Sequence, residues 1–114
     1  MSAHDGHSVV DLDAIGDPPT SGIRSITLHA DDAVRVIHFD FAPGEELSEH
    51  TSPRRATIQV LSGDFDLTVA GEAIDGGPGT LVCMAAGTPH GLRARRASRM
   101  LLTLVGITTP PSSM

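Results

Sequence analysis

The sequence predicts an all-β fold, a barrel or sandwich of short strands. Three observations lead there. Apolar and polar residues alternate with period two over several stretches. Glycine- and proline-bearing turn signals recur at close intervals between those stretches. No amphipathic helical pattern runs far without meeting a breaker.

Residues 1–22 read as a polar N-terminal arm with one short strand at Val9–Leu12, closed by Asp17-Pro18-Pro19-Thr20-Ser21-Gly22. The barrel is expected over residues 23–106. Ile23 to His29 alternate as a first strand, and Asp31-Asp32 turns the chain. Val34 to Phe41 form a second strand. Val34, Val36, His38 and Asp40 share one face, apolar at first and polar at its end, as expected of a strand lining a polar-mouthed pocket. Ala42-Pro43-Gly44 stops it. Thr57–Leu61 is short and β-branched, Ser62-Gly63 turns, and Phe65, Leu67 and Val69 alternate with polar neighbours as a hairpin with one wet face. Further turns fall at Ala70-Gly71-Glu72 and Asp75–Gly79. Leu81–Met84 reads as a short buried strand, with Cys83 an inert buried thiol. His90–Ala94 and Met100–Val105 complete the series, and 107–114 is a tail.

Composition narrows the function classes. At 114 residues the chain supports one core, not two. Its only aromatics are three Phe, so Val, Ile, Leu, Ala and Met must fill that core. A net charge of −6 argues against a nucleic-acid partner, which needs a clustered basic surface. All eight basic residues are Arg, which excludes Schiff-base and lysine-base chemistry. The single Cys83 forms no internal disulfide and suits a reducing compartment. No apolar run reaches membrane-spanning length, and no basic-then-apolar leader opens the chain, so the expected location is the cytoplasm.

Two segments carry the chemistry. GEELSEHTSPRRATIQVLSG runs from Gly44 to Gly63, and GTLVCMAAGTPHGLRA from Gly79 to Ala94, each with one histidine between glycines, His50 and His90. They resemble the two motifs of the cupins, small double-stranded β-helix (jelly-roll) barrels. In the first, Gly44, His50 and Gly63 stand at the family spacing, while Ser52 replaces a histidine and Ala56 a glutamate. In the second, Gly79, Gly87 and His90 match, while Ala85 replaces a proline and Ala94 an asparagine. The resemblance covers residues 23–106. It looks like a subgroup of small single-domain bacterial cupins whose activities are mostly unassigned.

The resemblance implies a divalent metal, commonly iron, manganese, zinc, nickel or copper, on three histidines and a glutamate. This chain keeps two of those four positions, so the ligand set is incomplete and a barrel without metal is equally open. His38 is the third-ligand candidate, with Glu46, Glu49 and Gln59 behind it. Without metal, His50 or His90 can serve as general acid or base at about pH 7, or hydrogen-bond a ligand. Ser52, Gln59 and Arg54 are candidate substrate contacts, the Arg54 guanidinium suiting a carboxylate or phosphate at the rim. Three functions are open: a metal- or histidine-dependent enzyme on a small polar molecule, a non-catalytic small-ligand binder that has lost its metal, or a structural subunit whose barrel serves only assembly, against which the two retained histidines weigh. Cupin-like barrels pair, so a homodimer is expected.

Overall fold

The structure is a computed structural model that describes residues 2–4 and 6–106; the expected tail at 107–114 lies outside the described residues. Strands β1 (Ser2–His4) and β2 (His7–Val9) pair as a small ribbon, followed by one turn of 3-10 helix at Leu12–Ala14. Then come β3 (Ile23–Ala30), β4 (Val34–Phe41), β5 (Glu46–His50), β6 (Arg55–Ser62), β7 (Phe65–Val69), β8 (Glu72–Gly76), β9 (Leu81–Met84), β10 (His90–Ala94) and β11 (Ser98–Val105). They form a five-stranded sheet, β3-β4-β11-β6-β9, and a four-stranded sheet, β5-β10-β7-β8. Every pairing is antiparallel. No helix of the described residues is long and apolar enough to cross a membrane.

The two sheets close over a core of Phe41, Ala56, Ile58, Val60, Phe65, Leu67, Met84, Leu92, Ala94 and Met100. The scarce aromatics are concentrated there. Phe41 of the larger sheet meets Phe65 of the smaller edge-to-face at 5.1 Å, and Phe39 flanks Phe41 at 6.1 Å. That edge-to-face geometry favours the ring quadrupoles.

Several expectations are corrected. The strand foreseen at Val9–Leu12 is β2 ending at Val9 plus the 3-10 turn, because the Asp11 side chain accepts from Asp13 N at 3.0 Å and bends the chain. Strand β9 is an edge, so alternation leaves Leu81 and Cys83 exposed while Met84 is buried. Cys83 is therefore no buried thiol. In β4 the core face is Ile37, Phe39 and Phe41, in register with Leu102, Met100 and Ser98 of β11. Val34, Val36, His38 and Asp40 face the other way, and His38 and Asp40 lie next to the N-terminal arm.

That arm is held by a charge network. Asp40 is fully buried, accepting from Arg99 Nε at 2.7 Å and Arg24 Nε at 3.0 Å. The same guanidiniums donate to the arm: Arg24 to the carbonyls of Gly16 and Asp17, Arg99 to that of Gly16. Farther along, Ser8 Oγ donates to His29 Nδ1 at 3.0 Å, and His29 Nε2 donates to Asp31 Oδ2 at 2.7 Å. That serine–histidine–aspartate chain uses the ring nitrogens in the opposite sense from a serine-hydrolase triad and ties β2 to β3. Asp31 is pushed down to about 2, first by the His29 hydrogen bond and then by the Ala33 and Val34 N–H groups.

Strand β5 carries the irregularity that matters most for the site. On β10, His90 and Leu92 are two residues apart, but their β5 partners His50 and Leu47 are three apart. One extra residue on β5 is thus accommodated opposite Gly91, a β-bulge. Without it His50 and Leu47, of opposite parity, would point to opposite faces. A Cβ on Gly91 would stand 3.2 Å from both Glu49 N and Leu47 O. Gly91→Ala should therefore cost about 1 kcal/mol and shift the bulge. The nuclear Overhauser contact between the His50 and His90 rings should weaken, and an unchanged contact refutes the assignment.

The β6–β7 turn has a stricter requirement. Gly63 sits at φ +87°, and a Cβ there would fall 2.5 Å from Ser98 Cα. Ser98, fully buried, accepts from Asp64 N at 2.8 Å and donates to Arg96 O at 2.7 Å, so it cannot step aside. Gly63→Ala should cost about 3 kcal/mol in urea unfolding with unchanged slope.

Candidate functional site

His90 lies on β10, between β5 and β7, in register with both His50 and Val69. The structure brings the two rings together, with centroids 4.3 Å apart and planes at 55°. His90 is buried at 5% exposure while His50 is open to solvent, so the pair runs from the barrel interior to its surface.

Both rings are fixed the same way. His50 Nδ1 lies 2.8 Å from Ser48 O and His90 Nδ1 2.9 Å from Thr88 O, each carbonyl two residues upstream. A carbonyl only accepts, so in the neutral ring each Nδ1 carries the proton and each Nε2 keeps a lone pair. The carbonyls are themselves placed by backbone geometry. Ser48 belongs to the bulge. Thr88 is locked by its own hydroxyl, which donates to Ala85 O at 2.8 Å, and by Gly87, whose N–H bonds Ser52 O at 2.8 Å. Sequence reading missed these orienting carbonyls, since no residue type marks a carbonyl. The one available signal was the matched pattern Ser48-Glu49-His50 and Thr88-Pro89-His90.

The other candidates divide. Ser52 sits on the loop after His50, where its Oγ accepts from Arg54 N at 3.1 Å. That bond closes a small turn and holds the hydroxyl to the backbone. Arg54 is half-buried on the same loop. Gln59 is not at the mouth. It is exposed on the outer face of β6, in register with Leu101 and Leu81, because the core face of that strand is Ala56, Ile58 and Val60. His38 is not at the mouth either. It lies on the outer face of β4, 1% exposed, facing a cavity of about 240 Å³ formed with Leu12, Asp13, Leu61, Ser62 and Arg99. A whole sheet separates it from His50 and His90, so it cannot complete their site.

The residues at the mouth do not make up the metal site of the family pattern. Ala56, in the glutamate position, is 2% exposed and in register with Met84 and Leu104. Its surroundings are apolar core, not a vacant ligand position. Ser52 Oγ is engaged as an acceptor. Among the described residues no cluster of three or more His, Cys, Asp or Glu could hold an ion. Two neutral imidazoles fall short of the three protein ligands that catalytic zinc usually takes, and of a two-histidine, one-carboxylate triad.

The comparisons place this architecture. A family model described as "Cupin domain" matches residues 37–106. A conserved protein of unknown function from Streptococcus pyogenes superposes with TM-score 0.78 at 30% identity, over 90% of each chain. A cupin superfamily protein from Desulfitobacterium hafniense also gives 0.78, at 23% identity, over 87% of this chain and 90% of that one. A cupin 2 conserved barrel domain protein from Leptotrichia buccalis gives 0.78 at 28% identity, over 85% of this chain and 47% of that one. No curated protein matches. With a family model covering more than half its length, a jelly-roll of two antiparallel sheets and glycine-flanked histidines meeting at the rim, the chain belongs to the cupin family.

Proposed function

We propose that this cupin binds a small polar ligand at the His50–His90 mouth without a resident metal. One observation carries the reading. Both rings are oriented through Nδ1 by upstream carbonyls, leaving an Nε2 lone pair on each of two rings whose centroids are 4.3 Å apart, while Ala56, at the glutamate position of the motif, is core. Two acceptors at one rim suit a molecule bearing hydroxyl or other hydrogen-bond donors. The same lone pairs can take a proton from a bound ligand, so the site is equipped for base chemistry as well as for binding.

The test uses purified protein and a panel of small hydroxy acids and sugars. A compound that binds should raise the unfolding midpoint, by roughly 10 °C at a hundredfold excess over Kd. His50→Ala and His90→Ala should each abolish that rise, and metal content should stay far below one ion per chain throughout. Stoichiometric metal that disappears in His50→Ala would overturn the reading in favour of a metalloenzyme.

The expected homodimer belongs with this proposal. Strand β9 pairs only with β6 among the described residues and so ends the sheet, and Leu81 on it is 61% exposed. An uncovered edge carrying an exposed leucine invites a second copy. Light scattering should give twice the chain mass of 11.9 kDa, and Leu81→Arg should return it to one chain. A wild-type mass of one chain contradicts the pairing.

A further inference from the structure

We propose that the N-terminal arm is a latch that stays docked while His38 is neutral and lifts when His38 is protonated. The site is on the outer face of the five-stranded sheet, away from the His50–His90 mouth, and the inference does not depend on the function proposed for that mouth.

The geometry carries it. His38 is buried at 1% exposure, and its Nδ1 has no hydrogen-bond partner among the described residues. The nearest carboxylate oxygen, Asp40 Oδ2, is 3.8 Å away, beyond hydrogen-bond reach. Asp40 is also already committed, one oxygen to Arg24 and the other to Arg99. The cover over His38 is the arm itself, since Leu12 and Asp13 close the cavity that the imidazole shares with Leu61, Ser62 and Arg99.

The charged groups around His38 are Asp40 on its own strand, Arg24 from β3, Arg99 from β11 and Asp13 from the arm. Burial pushes the His38 pKa below its ordinary value of 6.5. The Asp40 carboxylate pulls it back, and Arg99 and Arg24 push it down further. An imidazolium here would be a desolvated cation beside two guanidiniums, with its nearest anion already paired twice. The sheet cannot rearrange around it without breaking the β4 pairings to β3 and β11. The arm can move. It is held to the sheet by the carbonyls of Gly16 and Asp17 on the two arginines and by the Ser8–His29 bond, and its Val10, Ala14 and Ile15 line one cavity with Ile26 and Leu28 of β3.

The sign follows from linkage. A histidine whose pKa is depressed in the docked state stabilises docking fully above its ordinary 6.5, and that contribution is lost as pH falls below it. Docking weakens by up to about tenfold for each pH unit between the ordinary and the docked value. Lifting the arm uncovers Leu28, which is buried when the arm is down, and opens His38 to solvent.

Hydrogen exchange by mass spectrometry on the whole chain tests this, at about pH 7.5 and about pH 5.5 with intrinsic rates corrected, a window above the ordinary carboxylate range. Peptides covering residues 10–22 should lose protection at the lower pH, by up to about tenfold, while those from β6, β7 and β10 keep theirs. His38→Leu should make arm protection independent of pH across that window. The proposal is overturned if wild-type arm protection does not change, if His38→Leu keeps the pH dependence, or if His29→Gln removes it. Should His38→Leu fail to fold, an NMR titration of the wild-type His38 ring decides. A midpoint below 6.5 that coincides with arm release supports the latch, and a midpoint at or above 6.5 removes it.

Discussion

The bulge that β5 makes opposite Gly91 decides which way His50 points, and the meeting of the two imidazoles depends on that decision. Period-two alternation alone would set Leu47 and His50 on opposite faces of the sheet. The extra residue lets Leu47 pack on the core while His50 meets His90. Gly91 makes room for it, since the crossing backbone atoms approach where a Cβ would stand. A strand that is polar almost throughout, Glu46-Leu47-Ser48-Glu49-His50, is thus placed by its partner and not by its own pattern.

The larger sheet resolves a different conflict. Its outer face carries a carboxylate with no solvent access, which is tolerable only because two guanidiniums meet it. Removing one partner from such a group typically costs about 3–5 kcal/mol, because the other charge is left buried. The arginines in turn satisfy carbonyls of an arm with little regular structure of its own, so one buried charge joins three strands and the N-terminal segment. By contrast, Arg95 gathers Asp64, Asp66 and Asp75 on the exposed side of the smaller sheet. It holds Asp66 below and is itself held above the usual ranges, each chiefly through their mutual hydrogen bond. In solvent such pairs contribute little to stability.

How far the chain could be read by eye follows from these two cases. Strands β3, β4, β6, β7, β10 and β11 show themselves by alternation or β-branching, and the glycine-histidine spacings identify the barrel. Strand β5 does not, having one apolar residue, and β8 is hidden among turn residues. The assignment of His38 to the mouth fails because both faces of β4 are covered, one by the core and one by the arm, so apolar residues on the His38 face do not identify the inside. Gln59 fails for a similar reason: it neighbours His50 in sequence but sits across the sheet from it. Only register, which is a tertiary property, separates these cases.

The altered motif positions are best understood as repacking. Ala56 faces the core between Met84 and Leu104 in register, and together they occupy the region where an acidic side chain would stand in the family pattern. Returning a carboxylate there would mean burying it against a thioether and a leucine, with desolvation favouring its neutral form. Ser52 has taken up a structural task, closing the turn into Arg54 and accepting at its carbonyl from Gly87, so the loops bearing the two motifs are stitched through it. The histidines are kept in place by backbone carbonyls that do not depend on a metal for their orientation. In many metal sites a second group on the far nitrogen of each histidine fixes its tautomer. Here that arrangement is present with an Nε2 lone pair left over on each ring, which makes the pair a preorganised acceptor whether or not an ion ever visits it.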